Sequence, residues 1–138
     1  MQEAALQLLK YTVNKIEFNL NENYKIIQGT SIELNQNLER IISKIDENTL
    51  QVTLKYDIYN LENKQVPFTM SIIISSVFSL QNWEQESNKE IATVNTVAIL
   101  FPFMRSLIAT ITANANVPPY ILPVLNVAAW LDNLEKNK

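Results

Sequence analysis

The chain has 138 residues, enough for one domain with its own core, and combines 47% apolar residues with only 18% charged ones. It has no histidine and no cysteine, which excludes Ser-His-Asp and Cys-His nucleophiles, thiolate or imidazole metal sites and disulfides. The net charge is −3, with 11 scattered basic residues against 14 acids, so no basic stripe exists to bind nucleic acid.

Met1–Leu6 lacks the charged start and apolar run of a signal peptide. No uninterrupted apolar stretch reaches about 18 residues, so membrane insertion is not expected. A cytoplasmic protein is the expectation, since a chain without cysteine suits a reducing compartment. The single glycine, Gly29, leaves no Gly-rich phosphate loop, and no cofactor is expected. Asparagine, which tolerates left-handed backbone, must serve the turns instead. It clusters at 19–23, at 46–48 beside two acids, and at 60–64.

In chain order, Leu9, Tyr11 and Val13 alternate, and Ile16, Phe18 and Leu20 then alternate in the opposite phase. A phase slip inside a strand predicts a bulge. Ile32 and Leu34 mark a shorter strand flanked by asparagines. From Thr49 to Tyr59, Leu50, Val52, Leu54, Tyr56 and Ile58 share one face, with Gln51, Thr53, Lys55 and Asp57 on the other. Val66 to Leu80 repeats the pattern, and the loop 60–64 makes the two runs a hairpin. The acid-rich stretch Trp83–Glu90 reads as a surface connection.

The period then changes. Val94, Val97, Phe101, Met104, Ile108 and Ile111 follow spacings of three and four, and Leu100, Phe103 and Leu107 thicken the stripe. A helix apolar over so much of its girth is expected to pack against its own sheet and against another subunit. Pro102 either kinks it or starts it. Val117–Pro123 must be extended, because each proline disfavours helix in the residue before it. Asn126 then caps a last helix from Val127 to about Asn133, anchored by Trp130, Leu131 and Leu134. Strands first and helices second make this an α+β fold, a single domain over 1–138: a four-stranded antiparallel sheet with two helices on one face.

The carboxyl half resembles the SecB-type protein-export chaperones. Ile99-Leu100-Phe101-Pro102-Phe103-Met104-Arg105 is similar to that family's Leu-Phe-Pro-aromatic-x-Arg helix start. Val117-Pro118-Pro119-Tyr120-Ile121-Leu122-Pro123-Val124-Leu125-Asn126 is similar to its apolar crossover loop and Pro-Val-Asn helix start. The two blocks cover about 30 residues at the expected separation. The amino half matches more loosely, through Lys15-Ile16-Glu17-Phe18 and Val77-Phe78-Ser79-Leu80.

The resemblance implies an ATP-independent holdase and no enzyme: unfolded polypeptide clients bound in an apolar groove by a homotetramer built as a dimer of dimers. It places client binding at Val117, Tyr120, Leu122 and Leu125 on the crossover loop, with Ile32 and Leu34 opposite. It places the subunit interface at Ile16 and Phe18 on the first strand and at Val97, Phe101, Met104, Arg105 and Ile108 on the first helix. The family's translocase-docking acids fall at Lys15, Asn19 and Ser71, none acidic, so docking to a SecA-type motor is expected to be weak or absent. A chaperone outside export, such as one dedicated to an antitoxin, fits the same residues. So does a structural oligomer, or less readily a carrier of a small hydrophobic ligand. The carboxylate pairs Asp46 with Glu47 and Asp132 with Glu135 read as solvated, without a neighbour to raise a pKa for acid catalysis. Trp83 and Trp130 read as core or rim anchors.

Overall fold

The computed structural model describes residues 5–24, 34–62, 65–115 and 127–136. Four strands, β1 (Gln7–Leu20), β2 (Gln36–Asp46), β3 (Thr49–Ile58) and β4 (Phe68–Ser79), precede two helices, α1 (Thr96–Asn114) and α2 (Val127–Lys136). The strands form one antiparallel sheet in the order β1-β4-β3-β2, so β1 and β2 are its edges.

The period of two in β3 and β4 sets the core. Leu50, Val52, Leu54, Tyr56 and Ile58 pair in register with Phe78, Ser76, Ile74, Ile72 and Met70, and all ten are buried. Among them Ser76 is the polar one, and its hydroxyl is satisfied by donating to the Val52 carbonyl at 2.8 Å. The helices cover this face, with Val97, Leu100, Phe101, Met104, Ile108 and Leu131 completing the cluster. The opposite face carries the odd-numbered residues of β3 and β4 and has no covering element among the described residues.

Asparagine does take over the work of glycine at the turns. Asn82 holds a left-handed backbone at φ 53°, and its N–H donates to Asn48 Oδ1 at 3.0 Å. Asn60 Oδ1 accepts from the Val66 N–H at 2.9 Å, closing the β3–β4 hairpin. Asn21 Oδ1 accepts from the Asn23 N–H after β1.

The phase slip in β1 is a bulge. Val13 pairs with Ile74 and Lys15 with Ile73, leaving Asn14 as the extra residue. Tyr11 and Val13 therefore share the helix-side face with Ile16, Phe18 and Leu20. Ser75 Oγ donates to Asn14 Oδ1 at 2.6 Å, which ties the bulge to β4. A further register shift between Leu8 and Lys10 takes Leu9 out of the Tyr11 face, so Leu9 does not alternate with Tyr11 as expected.

The second strand differs more. Rather than centring on Ile32 and Leu34, β2 runs over Gln36–Asp46. Leu34 lies just before it, and Ile32 falls outside the described residues. The cause is that Arg40 and Lys44 occupy helix-side positions, opposite Leu54 and Leu50, which spoils the apolar alternation.

Helix α1 runs through Pro102, which sits on its exposed side; the turn before it, Ile91–Asn95, is π-helical. The whole helical stretch Glu86–Asn114 is long and apolar enough to cross a membrane by length and composition. Its buried residues Val97, Leu100, Met104 and Ile108 nevertheless pack on the chain's own sheet, as the core helix of a domain does. Helix α2 extends three residues beyond the expected Asn133, to Lys136.

Candidate functional site

Among the described residues, three surfaces stand out once the core is formed. The first lies where edge strand β1 meets α1. Tyr11 stacks on Phe103, with ring centroids 4.5 Å apart. Along the same face of β1 Val13, Ile16 and Leu20 stay exposed, as do Ile99 and Phe103 on α1, Ile16 by 50% and Phe103 by 40%. Ile99 and Phe103 are one helical turn apart and share a side of α1. The outer edge of β1, 14 residues long, pairs with no strand among the described residues. A long edge strand bordered by exposed aliphatic side chains invites a further strand.

The second surface is the seam between β2 and α2. Arg40 projects from β2 and donates from Nη1 to the Thr93 carbonyl at 2.7 Å and from Nη2 to both Glu135 carboxylate oxygens at 3.1 and 3.0 Å. Glu135 is thus a structural partner of β2 rather than a freely solvated acid, while Asp132 is exposed. Lys44 ties the same strand to the connection after β4, with Nζ 2.6 Å from Glu84 Oε1. That hydrogen bond and charge hold the Lys44 pKa above its ordinary value.

The third surface is the open face of the sheet. Register across four strands aligns Glu17, Ser71, Asp57 and Asn37 in one row, and Lys15, Ile73, Lys55 and Glu39 in the next. Over the first row lies an open depression of about 500 Å³ lined by Glu17, Ser71, Asp57 and Asn37, with Lys55 on one side and Thr69 and Tyr59 on the other. Glu17 receives a 3.4 Å salt bridge from Lys15 and a 3.3 Å hydrogen bond from Asn19, so its charge is offset on the spot. Glu17 and Asp57 did not stand out in the sequence, because only the pairing of three strands brings them to either side of Ser71. Among the described residues no three carboxylates converge as metal ligands.

The family model described as preprotein translocase subunit SecB matches residues 1–137. The chain belongs to the SecB family. Among similar proteins, an uncharacterized protein of Methanocaldococcus jannaschii is 34% identical over 99% of this chain and 88% of its own length. The protein-export protein SecB of Anaplasma phagocytophilum is 35% identical over 59% of this chain, and the match spans 54% of that protein. A SecB-like chaperone of Mycobacterium tuberculosis, solved in complex with a ChAD peptide from an antitoxin, superposes with a TM-score of 0.64 at 13% identity over 87% of each chain. The four-stranded sheet with a long and a short helix is thus a SecB-like fold.

The residues expected to form the SecB-type sites fall as follows. Ile16 is half exposed on the β1 flank, and Phe18 is half-buried, stacked on Phe68 at 5.3 Å. Val97, Phe101, Met104 and Ile108 are taken up by the chain's own core. They are the side by which α1 sits on its sheet, and the exposed side of α1 carries Ile99 and Phe103. Helical period reported the apolar girth but not which side the sheet would take. Arg105 is half-buried. Of the client-binding set, Leu34 is half-buried beside Asn35, whose side chain donates to the Tyr59 carbonyl at 3.1 Å. Ile32, Val117, Tyr120, Leu122 and Leu125 lie outside the described residues.

Proposed function

We propose that this chain is an ATP-independent holdase that binds non-native polypeptides through apolar surface and catalyses no reaction. The observation that carries the reading is family membership over nearly the whole chain, joined to a fold whose relative holds an antitoxin peptide. The physical chemistry agrees. A segment whose backbone is restricted by Pro118, Pro119 and Pro123 loses little entropy when a client binds. Apolar side chains on it gain about 25 cal/mol per Å² buried without requiring a client sequence. The client residues are Val117, Tyr120, Leu122 and Leu125 with Ile32 and Leu34, and the working form is cytoplasmic.

The assembly is a homotetramer, a dimer of dimers, with one interface along β1 and the Ile99–Phe103 side of α1. The exposed Val13, Ile16 and Leu20 beside an unpaired strand edge support that interface. A role outside export is favoured by the open sheet face. There Lys10, Lys15 and Lys55 stand among Glu17, Glu39 and Asp57, which leaves little net field to attract a basic docking partner.

The test is light scattering of a refolding, aggregation-prone protein with and without this chain, in the absence of nucleotide. Suppression at near-stoichiometric ratio is expected. Scattering unchanged at several-fold excess would refute the holdase and favour a structural oligomer.

A further inference from the structure

Arg40 occupies a position where sheet chemistry calls for an apolar side chain. It faces the helices, opposite Leu54 in the β2–β3 register, and its side chain is only 12% exposed. A guanidinium held there is tolerated because its donors are met. Nη1 is taken by the Thr93 carbonyl within the π-helical turn before α1, and Nη2 by both oxygens of Glu135. One side chain thereby ties β2 to elements 53 and 95 residues away.

Helix α2 needs such a tie. Its ten residues are too few to be helical unaided. Its described hydrophobic anchors are Leu131, fully buried, and Leu134, half-buried, in the cluster that includes Leu38 and Ile42 of β2. Glu135 lies one turn beyond Leu131, in the last turn of the helix, where the dipole disfavours a carboxylate. Helix chemistry alone does not explain an acid there; Arg40 does.

The geometry points to Arg40 as a positioning residue that latches α2 over Leu38 and Ile42 of β2, so that the Arg40–Glu135 pair sets how readily a non-native chain reaches those two side chains. The latch follows from the contacts alone; its ligand rests on the holdase reading. The pair is half open to water on the Glu135 side, at 43% exposure, so added salt weakens it. Release loosens α2 at its carboxyl end, because the fully buried anchor, Leu131, lies one turn earlier and Leu134 is only half-buried.

The test uses the full chain as wild type and as Glu135→Gln, which spares the Arg40–Thr93 bond and keeps the side chain's shape. Hydrogen exchange is read on amides of α2, β3 and β4, with and without added salt. Binding of a reduced, alkylated protein that cannot refold is read alongside. Glu135→Gln is expected to speed α2 exchange about fivefold, leave β3 and β4 unchanged, abolish the salt dependence of α2 exchange and tighten binding of the unfolded chain. Unchanged α2 exchange overturns the latch. Faster exchange with unchanged or weaker binding overturns its control of access. A wild-type protein that binds no unfolded chain defeats the holdase reading instead, and the exchange result still decides the latch.

Discussion

Tyr11 links the two elements that frame the apolar flank. Its ring stacks on Phe103 of α1 from β1, and burial raises its pKa above the ordinary 10.0. A raised pKa means that the folded state resists ionisation more than the unfolded one does. Its contribution is therefore intact below pH 10.0 and lost as pH rises through the folded-state value. Lys44, held up by Glu84, loses its contribution in the same direction. The denaturant midpoint of the wild type should fall between pH 9 and about pH 11, and fall less in Tyr11→Phe, where the Lys44 part remains. Equal falls in the two proteins would mean that Tyr11 does not titrate against its packing. Asn14 makes a related point about single residues. It is the extra residue of the bulge, and its side chain satisfies Ser75, a hydroxyl on a residue 7% exposed. A hydrogen bond of this kind contributes about 1 kcal/mol, and here it also fixes the register that turns Ile16 toward the helix side.

Among the elements, legibility tracked how far each one's polarity follows its geometry. The β3–β4 hairpin was plain, since every residue from Leu50 to Ile58 obeys the period of two. The β1 bulge was readable as a change of phase. Strand β2 was not readable from Leu38-Glu39-Arg40-Ile41-Ile42-Ser43-Lys44, because two cations stand on its helix-side face and bond to Glu135 and Glu84, far along the chain. No local pattern encodes those partners. The apolar stripe of α1 was clear, but whether the helix began at Pro102 stayed open, and its sidedness required the sheet. Residues 117–125 carry the strongest claim of this scale. Replacing Tyr120 and Leu122 together with Ser removes about 2–4 kcal/mol of available burial, which at 1.4 kcal/mol per tenfold predicts at least about a tenfold loss of client affinity. Thermal stability and native mass of the same variant should be unchanged. A lowered melting temperature, or full affinity in a stable protein, would place these residues in the fold rather than in the groove.

At the scale of the molecule, the open sheet face separates export from other chaperone work. Lys15, Asn19 and Ser71 do lie on that face, but Glu17 and Asp57 share it. The acids were missed because they meet only through cross-strand register. Their field is countered by Lys15 and Lys55, so a SecA-type motor should bind weakly or not at all in a pull-down. Lys15→Glu, which frees Glu17 and adds a charge, should strengthen any residual binding. Tight binding by the wild type that Lys15→Glu abolishes would reverse the charge argument.

The central question is whether the assembled protein holds a non-native chain without chemistry. Native mass spectrometry of the 15.8 kDa chain, mixed with a reduced, alkylated protein and no nucleotide, reads assembly and client in one spectrum. The expected species is a tetramer carrying the unfolded chain, with free tetramer beside it. A spectrum of monomers, or of tetramers that never take up the unfolded chain at micromolar concentration, would contradict the account.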